Sequence, residues 1–224
     1  MLLGLLLLGL ERGCREVFPE FLSAAILLAS LVAVTRGLHL DGFMDTCDGL
    51  FGGYTRQRRL EIMRDSQVGA FGIAGAVSLL LLKYGALVSL LGLAEPGMEW
   101  GLLLFPMVSR WAMVVALRAF PYARSEGLGS PFHQGSANWP TALAAAAAVI
   151  AAVLLGGIGG AGLLAGATIL AWLLGRVMVG RLGGLTGDTY GAINEVVEAA
   201  ALLAVVAMLP HGWVEPLTHL LDIT

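Results

Sequence analysis

The sequence is poor in charge. Only 13% of its 224 residues are Asp, Glu, Lys or Arg, where a soluble domain carries about 25%. Hydrophobic residues make up 58%, and the mean hydropathy is +0.83. So little polar surface cannot clothe a water-soluble core, and a polytopic membrane protein is expected. Cysteine is scarce as well, at two residues. Cys47 lies within an acidic motif and neither it nor Cys14 has metal-ligand spacing, so no disulfide framework and no zinc site is expected. The formal net charge of −3 lacks the basic excess of a nucleic-acid binder. Met1–Leu10 has no basic region before it and no small-residue cleavage site after it, so no cleavable signal is expected. There is no internal repeat and no soluble domain. The whole chain, 1–224, reads as one integral membrane domain. Glycine is plentiful, at 31 residues, which suits close helix packing in a bilayer.

The apolar runs place the spans. Met1–Leu10 is too short to cross unless Glu11–Val17 extends it. Phe21–Thr35, Val68–Leu93, Trp100–Leu117, Thr141–Leu155, Leu163–Val179 and Ala192–Leu209 follow. Polar or glycine-rich segments separate them, including a turn at Gly156–Gly162, a loop over 118–140 and a turn over Arg181–Tyr190. The expected fold is all-α, a membrane bundle of about six to seven helices. Arginine sets its orientation. If the acidic loop is cytoplasmic, Arg36, Arg56, Arg58, Arg59, Arg64, Arg118, Arg124, Arg176 and Arg181 fall on that side, and only Arg12 and Arg15 on the other.

What little charge exists is concentrated. Between His39 and Gly72 lie Asp41, Asp45, Asp48, Glu61 and Asp65. If residues 40–49 are helical, the three aspartates stand at i, i+4 and i+7, within roughly 60° of one another on one face. Glu61 and Asp65 repeat the i, i+4 spacing, among Arg58, Arg59 and Arg64. Carboxylates so close repel unless a cation holds them, and Mg²⁺ or Mn²⁺ suits an all-oxygen set. A solvated charged loop is the plainer alternative. A cytoplasmic, acidic, metal-binding loop is the expectation.

The last span carries Asn194, Glu195 and Glu198 near its cytoplasmic end. An acid in a span costs a few kcal/mol unless paired or wet. Arg110 and Lys83 are candidate partners, Arg110 the better one for Glu198, in a polar cavity reaching down from the cytoplasm. Asp188 reads as a helix cap. His39 is placed to orient a carboxylate or touch phosphate. His133 sits in the polar loop, a weaker candidate for substrate contact.

LHLDGFMDTCDGLFGG followed by RLEIMRDSQVGAFG resembles the signature of the cobalamin synthase family, the adenosylcobinamide-GDP ribazoletransferases. SRWAMVVALRAFPYARSEGLGSPF and GDTYGAINEVVEAAALL are similar to its later motifs. The resemblance implies a multi-pass enzyme of the inner membrane. It would join adenosylcobinamide-GDP to α-ribazole or its 5′-phosphate with Mg²⁺ and release GMP. Members usually carry a further N-terminal stretch before the residues matching Met1–Leu10, so one membrane segment fewer, or a different start, is expected. Phosphoryl transfer of this kind needs positioning and charge neutralisation. Asp41, Asp45, Asp48, Glu61 and Asp65 are the expected metal ligands. Asp48, Asp65 and Arg64 are the catalytic candidates, with Asp65 foremost as proton acceptor. Which acid binds metal and which acts as base stays open. Arg59 and Arg64 suit phosphate oxygens. His39, Arg59, Arg110, His133, Asn194, Glu195 and Glu198 are the substrate-binding candidates. Two other readings are weighed: a CDP-alcohol phosphotransferase-like enzyme, and a cation transporter. Oligomeric state is left open.

Overall fold

The computed structural model describes residues 1–93, 97–123 and 138–214. Among these the regular structure is helical, apart from one isolated bridge between Tyr122 and Leu185. The helices are α1 (Leu2–Arg15), α2 (Glu20–Val34), α3 (Leu38–Gly52), α4 (Arg56–Ile62), α5 (Ala70–Gly92), α6 (Met98–Ala119), α7 (Trp139–Leu182) and α8 (Gly187–Met208). A 3₁₀ turn, Leu209–His211, ends the described chain's regular structure.

Four helices are long and apolar enough to cross a membrane: α5, α6, α7, and α8 with its 3₁₀ extension. α2 and α3 pass the same test only as a pair, bent by 85°. α7 has 44 residues, or about 66 Å at 1.5 Å per residue, twice the hydrocarbon thickness of about 30 Å. Gly157 breaks it with φ 55° and ψ −137°, a backbone state open to glycine. Beyond the break the chain doubles back, and a Cβ on Gly160 would lie 2.0 Å from the Ala152 carbonyl oxygen. The glycine turn expected over Gly156–Gly162 therefore narrows to one residue. Counting α5, α6, both halves of α7, α8 and the bent pair gives six passes among the described residues.

Burial runs inside out, as a bilayer requires. α6 and α8 are central, and Leu102, Leu104, Phe105, Ile193 and Leu202 are wholly buried. Leu81, Leu82, Ile169, Trp172 and Leu173 of α5 and α7 are exposed apolar side chains. An apolar exterior this extensive marks a membrane-facing surface.

The connections alternate between two ends. At one end Arg59 donates to the Arg181 carbonyl at 3.2 Å, Arg56 packs over Gly183, and Ala123 N–H donates to the Leu185 carbonyl at 2.7 Å. The turns after α3, α6 and α7 thus meet, as the arginine pattern anticipates. The opposite end holds the Arg12–Glu99 ion pair at 3.2 Å and the packing of Gly97 against Leu209 and Val214.

Candidate active site

The geometry of the site begins with the bend between α2 and α3. Arg36 and Gly37 take φ of 54° and 71°, and α3 turns across the end of the bundle. It then crosses α8 in backbone contact. A Cβ on Gly42 would lie 2.7 Å from the Asp188 carbonyl oxygen, and one on Gly191 would lie 3.0 Å from that of His39. Only two glycines allow so close an approach. The crossing sets the first turn of α3 against the first turn of α8, which Thr186 and Thr189 close with a capping box. Asn194, fully buried on α8, brings its Nδ2 to 3.3 Å from His39 Nδ1. An amide N–H there leaves the neutral imidazole proton on Nε2. Asn194 Oδ1 is buried without a protein partner.

Between these turns and α6 lies a cavity of about 480 Å³. Its polar rim is His39, Asp41, Arg110 and Asp188; its apolar wall includes Met113, Val114 and Leu117. The N-terminal ends of α3 and α8 both border it, and the positive end of a helix dipole favours an anion. A guanidinium, an imidazole and two such ends suit a pyrophosphate.

Beneath the cavity Arg110 is paired with Glu198. Lys83, the chain's one lysine, reaches Glu198 at 2.7 Å and Glu195 at 2.5 Å, with 2% of its side chain exposed. Ser109 Oγ donates to Glu198 at 3.4 Å. Two carboxylates and two cations thus close a buried network whose formal charge is zero. The expected Glu198–Arg110 pair is present, and Lys83 is a second partner. A charge left alone at this depth costs several kcal/mol, so the four stand or fall together.

The acidic motif spreads out along its elements. Asp41, Asp45 and Asp48 do lie on one helix, with Asp41 exposed and Asp48 buried. Asp48 turns towards α5, where its two oxygens accept Gly69 N–H at 2.7 Å and Gly72 N–H at 2.8 Å. It caps that helix from a neighbouring one. A Cβ on either glycine would come within 2.5 Å of the carboxylate, which accounts for the glycines of the GAFG segment. Glu61 is exposed on α4 and accepts from Gln57 and Arg58. α4 ends at Ile62, so Asp65 does not continue its face as the i, i+4 spacing implied. Asp65 instead accepts Gln67 N–H at 3.0 Å in a polar turn. Arg59 ties Gly53 to Arg181 through their carbonyls. Arg64 lines a shallow surface pocket with Arg56, Leu60 and Glu61. His133 lies outside the described residues.

Among the described residues no three His, Cys, Asp or Glu side chains are gathered to hold a metal ion. The five acids do not form one cage. Mg²⁺ rarely needs one, since it commonly takes one or two carboxylates together with substrate phosphates. Asp41 and Asp188, both on the cavity, fit that mode. Asp188 is not the cap expected from the sequence: Thr186 caps α8 and Asp188 stands one residue inside it, on the cavity; its place among arginines at the same end is the available signal. The wall residues Met113, Val114 and Leu117 continue from Arg110 at i+3, i+4 and i+7, a stripe also readable in advance. A larger cavity, about 800 Å³, lies at the opposite end between α1, α2, α5 and α6 and holds none of the motif residues.

Comparison with known proteins identifies the family. The family model described as Cobalamin-5-phosphate synthase matches residues 1–206. The chain is 40% identical over 195 residues to the adenosylcobinamide-GDP ribazoletransferase of Desulfitobacterium hafniense (strain Y51), covering 86% of this chain and 76% of that one. It is 40% identical over 207 residues to the protein of that name from Geotalea daltonii (strain DSM 22248 / JCM 15807 / FRC-32), covering 92% and 82%. It is 41% identical over 201 residues to that of Syntrophobacter fumaroxidans (strain DSM 10017 / MPOB), covering 88% and 79%. No solved structure matches the chain. On its motifs, its helices and these relatives, the chain belongs to the cobalamin-5-phosphate synthase family.

Proposed function

We propose that this protein joins adenosylcobinamide-GDP to α-ribazole, or to α-ribazole 5′-phosphate, and releases GMP. The observation that carries this reading is the cavity rimmed by His39, Asp41, Arg110 and Asp188 at the arginine-rich end, in a chain whose relatives bear that activity in their names. A ribose hydroxyl of α-ribazole attacks the phosphorus that bears cobinamide. A new P–O bond forms, the P–O bond to GMP breaks, and the hydroxyl proton passes to a carboxylate. Asp41, exposed at the cavity rim, is placed to take it through an oxygen left free of metal. Arg110 and the proton on His39 Nε2 meet the phosphate oxygens. Glu198 and Lys83 hold Arg110 from below. Asp41 and Asp188, with Asp45 one turn along α3 from Asp41, would hold a Mg²⁺ ion, which would supply charge neutralisation at phosphorus.

The arginine bias argues that this end faces the cytoplasm, where nucleotides are found, and a helical bundle with one cytoplasmic face is read as seated in the inner membrane. The test is to incubate detergent-solubilised protein with adenosylcobinamide-GDP and α-ribazole, with and without Mg²⁺. Cobalamin by mass and GMP in equal amount are expected. Release of CMP from a CDP-alcohol instead would point to the phosphotransferase-like reading, and no nucleotide release to a transporter.

A further inference from the structure

The cavity is small for one of the two substrates. Pockets that bury a single drug-sized ligand run to about 300–1,000 Å³. At about 480 Å³ this one encloses a nucleoside. Cobinamide carrying both an adenosyl group and GDP is several times larger and cannot enter whole. The question is which nucleoside the cavity takes, the guanosine that leaves or the α-ribazole that arrives.

The wall decides. Met113, Val114 and Leu117 form one stripe of α6, and Leu38 faces the same space from α3. Those four side chains offer no hydrogen-bonding group, and Tyr190, which lines the cavity from α8, adds a single hydroxyl, too little for both edges of guanine. Guanine carries donors and acceptors along both edges, and burying them against such a wall leaves them unsatisfied at a cost of a few kcal/mol. The base of α-ribazole is an aromatic bicycle with two methyl groups and one free ring nitrogen, which an apolar wall accepts. The rim then falls opposite the ribose, where the attacking hydroxyl must stand beside phosphate ligands and a proton acceptor.

We infer that this cavity is the α-ribazole subsite, with the methylated base against Met113, Val114 and Leu117 and the ribose towards His39, Asp41 and Arg110. The adenosylcobinamide-GDP presents only its pyrophosphate to the rim, and its corrin and guanosine lie outside the cavity. The inference rests on the transferase reading above and assigns one substrate within it.

Val114→Phe adds bulk where the two methyl groups would lie. It should raise KM for α-ribazole by about tenfold or more, as a misfit of a few atoms in an apolar pocket does. KM for adenosylcobinamide-GDP should not change. The variant should also turn over the riboside of unmethylated benzimidazole faster than α-ribazole, reversing the order of the unsubstituted protein. Leu117→Ala removes part of the same wall and should raise KM for α-ribazole alone, so an inactive Val114→Phe leaves the question answerable. A rise in KM for adenosylcobinamide-GDP with that for α-ribazole unchanged, or an unaltered order of bases in both variants, would overturn the assignment. No GMP release by the unsubstituted protein with either base would overturn the transferase reading itself.

Discussion

Asp41 and Asp48 stand two turns apart on α3 and serve different ends. Asp48 caps α5 with both oxygens, so Asp48→Ala should lower stability by about 1–2 kcal/mol, read by thermal unfolding in detergent. Asp41 has its carboxylate at the cavity rim, so Asp41→Ala should leave unfolding nearly unchanged and slow turnover on the order of 10²–10⁴-fold. Equal unfolding and equal loss of rate in the two would place both in one role. Asp45→Asn should raise the Mg²⁺ concentration that gives half-maximal rate, and an unaltered requirement would leave the ion to Asp41 and Asp188. The buried network invites a different measurement. Glu198→Gln should raise KM for adenosylcobinamide-GDP by loosening Arg110, with little effect on the Mg²⁺ requirement. Lys83→Met alone strands Glu195, since Glu198 keeps Arg110, and should destabilise by about 3–5 kcal/mol. Adding Glu195→Gln should recover much of that, and strict additivity of the two would show that Lys83 and Glu195 are not coupled.

At the scale of elements, the crossing of α3 and α8 controls the site. Gly191→Val should force the two backbones apart and abolish GMP release while the bundle stays folded, as judged by helicity and gel filtration. A variant of normal activity would mean that the contact is incidental. Much of this was legible in advance. Apolar runs place α5 and α6 to within two residues at either end and the end of α8 to within one, though α8 starts five residues before its apolar run, and the i, i+4, i+7 aspartates do share a helix. Three features were not legible, for physical reasons. The bend at Arg36 and Gly37 turns α3 by 85°, which hydrophobic period does not encode. Asp48 finds amide donors 21 and 24 residues away, a partnership that only tertiary packing creates. Asp65 follows the end of α4, so its spacing from Glu61 carries no facial meaning. The site that emerges is smaller than the acidic stretch and draws one carboxylate from it, with the other from the start of α8.

For the whole molecule, the turns after α3, α6 and α7 share one end and most of the arginines with it. A single cysteine introduced at position 55, in a variant lacking Cys14 and Cys47, should react with impermeant thiol reagents from the cytoplasmic side only. Reactivity only from the other side would invert the bundle and remove the site from the nucleotide pool. The network of Lys83, Arg110, Glu195 and Glu198 has one more consequence. A voltage across the bilayer does work on net charge, about 2.3 kcal/mol per elementary charge moved through 100 mV. Two carboxylates and two cations locked together present none. A guanidinium held at the cavity in this way brings with it no net charge on which a membrane potential could act. In proteoliposomes a potential of either sign should leave GMP release unchanged, and a rate that tracked the potential would mean that charge in this network moves through the field during turnover.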